Sequence, residues 1–213
     1  MEDLLAFEIR GKLKRIFLDE TKNTCFEVGI YEDQNHYFIH NVIIPFTPEA
    51  DIIQGEKIFV TGSIRAYSYF DEEEKKTKNV VKLLADSVKS VKPILTERLG
   101  VKGRYYDPDY SKVFVVGRVK RVLQSADGST WGNVVVGSFV NDKPNNIRIG
   151  YNTRKALPKI GNLDVGDRIA IYGTLVSSDK VFETNKNKKV KVHFSNITTE
   201  DICIIEKVIP NIM

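Results

Sequence analysis

The sequence predicts an all-β protein built as two tandem five-stranded barrels, each with a short helix between its third and fourth strands. Three observations predict it. Apolar and polar residues alternate with a period of two through most of the chain, the mark of strands with one buried face. Gly, Pro, Asn and Asp interrupt these runs at short, even spacing, as turns between strands do. The chain also repeats itself: Gly11-Lys12-Leu13-Lys14-Arg15-Ile16 returns 106 positions later as Gly117-Arg118-Val119-Lys120-Arg121-Val122. Thr24–Ile30 lines up with Thr130–Val136 at the same offset, and Cys25 with Trp131. Gly55-Glu56-Lys57-Ile58 matches Gly166-Asp167-Arg168-Ile169, and Val60–Ile64 matches Ile171–Leu175, both offset by 111. Matches in one order with a small change of offset describe one unit written twice, with a loop difference inside it.

In the first unit, Leu4 to Leu18 is a long strand. Phe7, Ile9, Gly11 and Leu13 share its inner face; Glu8, Arg10, Lys12 and Lys14 share the outer one. Gly11 inside the strand marks a bulge or sharp coil, where one strand can turn a corner and serve two sheets. Cys25 to Tyr31 is the second strand, with Phe26, Val28 and Ile30 inward. His36 to Ile44 is the third. Thr47 as N-cap and Pro48 as first helical residue predict a short helix over 47–53. Ile58 to Phe70 is the fourth strand, residues 71–78 a charged hairpin tip, and Val80 to Val91 the fifth strand.

The second unit follows the same plan. Tyr110 to Leu123 is its first strand, Ala126-Asp127-Gly128-Ser129 a tight turn, and Trp131 to Val140 its second strand. Ile147 to Tyr151 is the third, 153–163 holds a short helix, and Ile169 to Ser177 is the fourth. Residues 179–189 form a long hairpin tip. Val190 to Ile197 begins the fifth strand, and Ile202 to Ile209 adds a further one. The domains are therefore 1–91 and 110–213, with 92–109 a linker able to pack as an extra arm.

Of 213 residues, 42% are hydrophobic and 28% charged, which is ordinary globular composition. No run approaches the ~18 apolar residues of a membrane helix. The N-terminus is acidic, so no secretory signal and a cytoplasmic location are expected. Cys25 and Cys203 stand far apart, against a disulfide framework or zinc site. The net charge of +4 is unevenly shared: residues 1–95 hold 13 Lys+Arg against 16 Asp+Glu, and residues 96–213 hold 19 against 12. The second unit, at +7 against −3, is the better candidate for an acidic partner.

Five strands, a short helix between the third and fourth, and long loops after the first and fourth are the plan of an OB-fold, a partly open Greek-key barrel. The run Gly55-Glu56-Lys57-Ile58-Phe59-Val60-Thr61-Gly62-Ser63-Ile64 resembles the start of the fourth strand in bacterial single-stranded DNA-binding proteins. The aromatic run Tyr67-Ser68-Tyr69-Phe70, the charged hairpin and the closing strand are similar to that family too. The resemblance covers about 4–90 and 110–205. It implies binding of single-stranded DNA, no cofactor and, since family members usually gather four OB-folds, a homodimer. The family commonly carries one such domain per chain and a disordered acidic tip that recruits replication and recombination proteins; here the sequence ends Val208-Ile209-Pro210-Asn211-Ile212-Met213, which puts that route of recruitment in doubt.

Single-strand binding needs flat rings for bases and cations for phosphates along one groove. In the fourth strand, Arg65, Tyr67 and Tyr69 fall on the outer phase, one cation interleaved with two rings; the alternative is that the tyrosines pack against the hairpin or a neighbouring subunit. Trp131, aligned with Cys25, lies off the inward phase and is a second stacking candidate, with cover for the linker as its alternative. Tyr37 and Tyr151 lie on or beside the third strands, part of the usual ligand face. Lys12, Lys14, Arg118, Lys120 and Arg121 lie on outer phases of the two first strands or just past them. Lys186, Lys188, Lys189 and Lys191 cluster on the second hairpin. Catalysis finds little support: His36, His40 and His193 are scattered, and no phosphate loop, metal cluster or nucleophile motif is present. An adaptor that holds a replication or repair enzyme, or an RNA-binding protein, would use the same surfaces.

Overall fold

A computed structural model describes residues 3–31, 37–49, 52–71, 75–98, 101–105, 108–124, 131–140, 143–152, 160–183 and 189–208. The strands are β1 (Leu4–Leu18), β2 (Thr24–Tyr31), β3 (Tyr37–Ile44), β4 (Lys57–Asp71), β5 (Lys76–Ser90), β6 (Ile94–Arg98), β7 (Val101–Tyr105), β8 (Tyr110–Gln124), β9 (Trp131–Val140), β10 (Lys143–Asn152), β11 (Arg168–Glu183) and β12 (Lys189–Glu206). Ten of them form one hydrogen-bonded sheet; β6 and β7 pair only with each other, so the inter-repeat segment is a two-stranded arm. No helix of the described residues is long and apolar enough to cross a membrane.

The pairings repeat as the sequence does. In the first repeat β1 pairs β2, β2 pairs β3, β3 runs parallel to β5, β5 pairs β4, and β4 returns to β1. In the second, β8, β9, β10, β12 and β11 follow the same circuit, with β10 parallel to β12. The alternation of β1 is as predicted: Phe7, Ile9, Gly11 and Leu13 are buried, while Glu8 and Lys12 are exposed.

Within its own repeat each first strand serves two partners. β1 pairs β4 up to Lys12 and β2 from Lys12 onward; β8 changes from β11 to β9 at Arg118. The bulge that turns the strand lies between Leu13 and Arg15, and between Val119 and Arg121, three residues beyond the predicted glycine. Gly11 and Gly117 have a different reason to be small. A Cβ there would stand 2.5 Å from the Gly29 carbonyl oxygen and 2.6 Å from that of Gly137. At both corners the bulged strand is tied to the turn before the fourth strand: Leu13 N–H donates to Glu56 O, and Val119 N–H to Asp167 O. The turn glycines Gly55 and Gly166 both have φ of 98°, the left-handed region that glycine tolerates.

Those paired strands also correct the repeat alignment. Leu13 faces Val28 and Val119 faces Val136, so the second strands are equivalent at an offset of 108, not 106. Trp131 is therefore the counterpart of Asn23, and Cys25 that of Asn133. Cys25 itself is buried, 3% exposed, despite its off-phase position.

The repeats join through β1 and β8, antiparallel from Leu4–Val116 to Arg10–Tyr110. The central pair is Phe7 with Val113, the same position of the two repeats. The seam is thus a pseudo-twofold contact of the kind two identical subunits would make. One core cluster runs through both repeats, including Phe7, Phe26, Ile58 and Leu83 from the first and Val115, Ile149, Tyr151 and Ile169 from the second. Burying each large apolar side chain contributes about 1.5–3 kcal/mol. Cross-repeat hydrogen bonds add specificity. Buried Asn145 of β10 accepts from Ala66 N–H at 2.8 Å and donates to Ile64 O at 3.3 Å. From the other side Ile39 N–H donates to Ser177 Oγ, and His40 Nδ1 lies 2.9 Å from Ser195 Oγ.

The predicted strand bounds need extending. β10 begins at Lys143 instead of Ile147, and β12 is one strand from Lys189 to Glu206 where two were expected. The predicted helix over 47–53 is not formed at its described residues 47–49 and 52–53; there Ile52 N–H donates to Glu49 O in a turn, and Glu56 N–H to Ile53 O. So few residues between a strand and a glycine turn cannot repay helix nucleation. Its counterpart at 153–163 and the Asp127-Gly128 turn fall mainly or wholly outside the described residues.

Replacing Asn145 with alanine strips the β4 edge of a buried acceptor and donor, and we expect a loss of about 1–3 kcal/mol in urea unfolding. Asp167 yields a pH test. Burial pushes its carboxyl up, but N–H groups of Asp164 and Val208 and the Lys207 ammonium hold the ionised form, leaving the pKa below the usual value. A carboxyl depressed in the folded state contributes stability above its unfolded pKa and loses it as pH falls through the folded value. Asp167→Asn should therefore be less stable than the wild type at neutral pH, and the gap should narrow in acid.

Candidate functional site

Among the described side chains of the first repeat, the outer surface of β1, β2 and β3 gathers exposed rings and cations. β2 ends and β3 begins with tyrosines that pair directly, Tyr31 with Tyr37. Their ring centroids are 4.5 Å apart with planes tilted by 31°, and the residues are 47% and 41% exposed. Lys14, at the β1 bulge, crosses over Gly29 to reach both. Its ammonium lies 4.7 Å from the Tyr31 ring centroid and 5.4 Å from that of Tyr37, and donates to the Tyr31 hydroxyl. A Cβ at Gly29 would sit 2.7 Å from the Lys14 Cε and 2.8 Å from the Tyr37 hydroxyl, so glycine makes room for this crossing. The hydrogen bond from Lys14 lowers the Tyr31 pKa, and the same bond raises that of Lys14. Burial raises the Tyr37 pKa.

The site is anchored from the linker. Asp109, the residue before β8, is buried and accepts from Tyr31 N–H at 3.1 Å, and its other oxygen pairs with Lys57 at 2.6 Å. The chain that joins the repeats thus fixes the end of β2 where the exposed ring stands.

The matching surface of β8, β9 and β10 starts from the same scaffold. Lys120 lies over Gly137 as Lys14 lies over Gly29, its Cε 2.4 Å from where a Cβ would be. Arg121 pairs in register with Val135, which pairs with Arg148. All three cations are exposed, and none forms an ion pair with a described carboxylate. In the first repeat the same row is Arg15, Glu27 and Asn41, where Arg15 and Glu27 are paired at 2.9 Å.

The predicted residues divide accordingly. Lys12, Lys14 and Tyr37 belong to the first surface, and Lys120 and Arg121 to the second. Arg118 is exposed but donates to Gly166 O and pairs with Glu206, a local tie to the β11 turn and β12. Arg10 lies over the Tyr110 ring at the seam, 5.0 Å from its centroid. Arg65 is half-buried on the β4–β5 hairpin. Tyr67, Tyr69 and Trp131 occupy strand positions opposite Val80, Lys78 and Asn152, with side chains outside the described set, as are those of Lys189 and Lys191 on β12. Lys186 and Lys188 lie outside the described residues altogether.

Tyr151 requires correction. It is 0% exposed and its ring packs across Gly132, whose Cβ would come within 2.3 Å of it. Its hydroxyl donates to Leu123 O at 3.3 Å. A ring sealed by a small residue on the next strand has no face for a ligand. Two surface residues were missed: Tyr31, off the inward phase of Phe26, Val28 and Ile30, and Arg148, between buried Ile147 and Ile149. Strand phase alone could have found both.

Comparison with known proteins places this geometry. No family model and no curated sequence matches the chain. Among solved structures, the wild-type single-stranded DNA binding protein from Thermus aquaticus matches over 98% of this chain and 96% of its own, at 15% identity and a TM-score of 0.59. The chain shares that protein's fold. A deletion mutant of the Thermus protein matches over 100% of this chain and 99% of its own, at 13% identity and a TM-score of 0.60. The likeness extends through both repeats and the arm between them.

Because Tyr31 is held by Lys14, its phenol should ionise below the ordinary tyrosine value. An ultraviolet titration of the wild type against Tyr31→Phe should lose its earliest phenolate step. An unchanged early step in the variant would remove the Lys14–Tyr31 contact from the site.

Proposed function

We propose that the chain binds single-stranded DNA with little sequence preference, protecting or presenting it in replication or recombination. The observation that carries this reading is the exposed Lys14–Tyr31–Tyr37 cluster, on a fold shared end to end with a protein named for single-stranded DNA binding. Rings stack on bases irrespective of sequence, and nearby cations hold phosphates. The protein acts by binding and not by catalysis.

Each five-strand circuit is read as one OB-fold barrel, residues 1–91 and 110–213, with 92–109 as the linker that carries the arm. The outer face of β4, β1, β8 and β11 is the surface for a second copy. There Phe114 and Tyr172 stand exposed beside a depression of about 490 Å³ that Ala6, Glu8, Tyr110 and Lys112 also line. A homodimer would bring four barrels together. Its place is the cytoplasm, where replication or recombination proteins are its further partners.

The test is a titration with oligo(dT) at two salt concentrations, read by Trp131 fluorescence and by mobility shift. We expect binding that weakens with salt, by a log–log slope of ~0.7 per phosphate neutralised. Absence of a shift and of quenching at low salt would overturn the reading.

A further inference from the structure

We infer that the two equivalent surfaces divide the work on one unpaired strand: Tyr31, Tyr37 and Lys14 of the first repeat form a nucleobase platform, and Lys120, Arg121 and Arg148 of the second form the phosphate track. The inference rests on the reading that the chain binds single-stranded DNA and says which chemistry each repeat contributes.

The surfaces start alike, with a lysine at the first-strand bulge lying over a second-strand glycine. From that common root they diverge in two independent ways. On the first surface the two cations nearest the rings are already engaged within the protein, and Lys12 is left as the exposed cation of that face. Lys14 is turned onto two rings and bonded to one hydroxyl, and Arg15 is paired with Glu27. Beside Lys12, what remains open to a ligand is ring surface. Tyr31 is fixed by Asp109 at its backbone and by Lys14 at its hydroxyl, so little freedom is lost when a base stacks on it.

On the second surface the carboxylate is missing from the equivalent row. Val135 stands where the first repeat has Glu27, and Arg148 where it has Asn41. Two guanidiniums therefore flank an apolar residue across three strands. Their backbones are two strand spacings apart, about 10 Å. Lys120 adds a third cation beside them. The facing tyrosines are replaced here by Phe139 opposite Pro144, so the paired phenols and their lysine clamp are peculiar to the first repeat. Net charge alone points to the second repeat for all binding; the side chains assign it phosphates and leave the −3 repeat with bases.

The two roles have different salt signatures. Charge neutralisation sets the slope of affinity against salt, while stacking moves affinity at every salt by a similar factor. In the full-length chain, Arg121→Gln with Arg148→Gln should lower the oligo(dT) slope by up to ~1.4, two phosphates at ~0.7 each. Tyr31→Leu with Tyr37→Leu should weaken binding at least ~5-fold at each salt and leave the slope unchanged. Tyr31→Phe keeps a ring and should bind nearly as the wild type does. Arg15→Gln should not alter the slope, because its charge is matched by Glu27 in the absence of DNA. All the residues replaced are partly or fully exposed, and thermal melting of each variant checks that the fold is intact. The division is overturned if the tyrosine pair changes the slope, or if the arginine pair leaves it as it was, while the wild type still binds oligo(dT). Failure of the wild type to bind at all would overturn the parent reading together with it.

Discussion

The antiparallel pairing of β1 with β8 is the contact on which the rest depends. It places the same position of each repeat opposite its counterpart, Phe7 against Val113, and the remaining seam pairs spread outward from that point. Hydrogen bonds of a strand ladder admit no small adjustment, because slipping by one residue would turn every buried side chain of the strand outward. Once this register is set, the bulges at Lys14 and Lys120 sit at related places, and the surfaces they shape are related too. The contacts of Asn145 with the β4 edge and of Ser177 with Ile39 lock the arrangement from both sides.

The corner of each first strand connects fold to function. A bulge frees one residue from the ladder and re-aims its side chain. In β1 that residue is Lys14, and in β8 it is Lys120. Both cross a glycine of the neighbouring strand, which has no side chain to stop them. The geometry that lets one strand serve two sheets is thereby the geometry that projects a cation onto the outer surface. What that cation then meets is decided locally: two phenols in one repeat, and a strand face with two arginines in the other.

Much of this was legible in the sequence. Period-two alternation identified the inner and outer faces of β1 residue by residue, and the repeat with its shift of five foresaw a common plan. The limits are physical. A two-residue slip in a strand alters no inside–outside assignment, so the alignment of Trp131 with Cys25 passed unnoticed until the ladder showed Leu13 against Val28 and Val119 against Val136. Tyr151 looked like a ligand contact because strand number alone suggested it; only cross-strand register shows Gly132 beneath the ring. The turn bond from Ile52 to Glu49 reflects a cap and a proline without enough chain to propagate a helix. Asp109 could not be read at all, since its partners, Tyr31 and Lys57, are brought to it only by folding.

Phenylalanine facing valine on the local axis has a consequence of its own. Where two identical polypeptides meet across a dyad, whatever residue lies there confronts its own copy, so bulk on one side is always bulk on both. Within a single polypeptide that obligation lapses: Phe7, its large ring seated against Gly62, stands opposite the smaller Val113. The same liberty holds at every pair of corresponding positions. With both halves in one polypeptide neither need mirror the other, and a substitution stands once without being imposed twice.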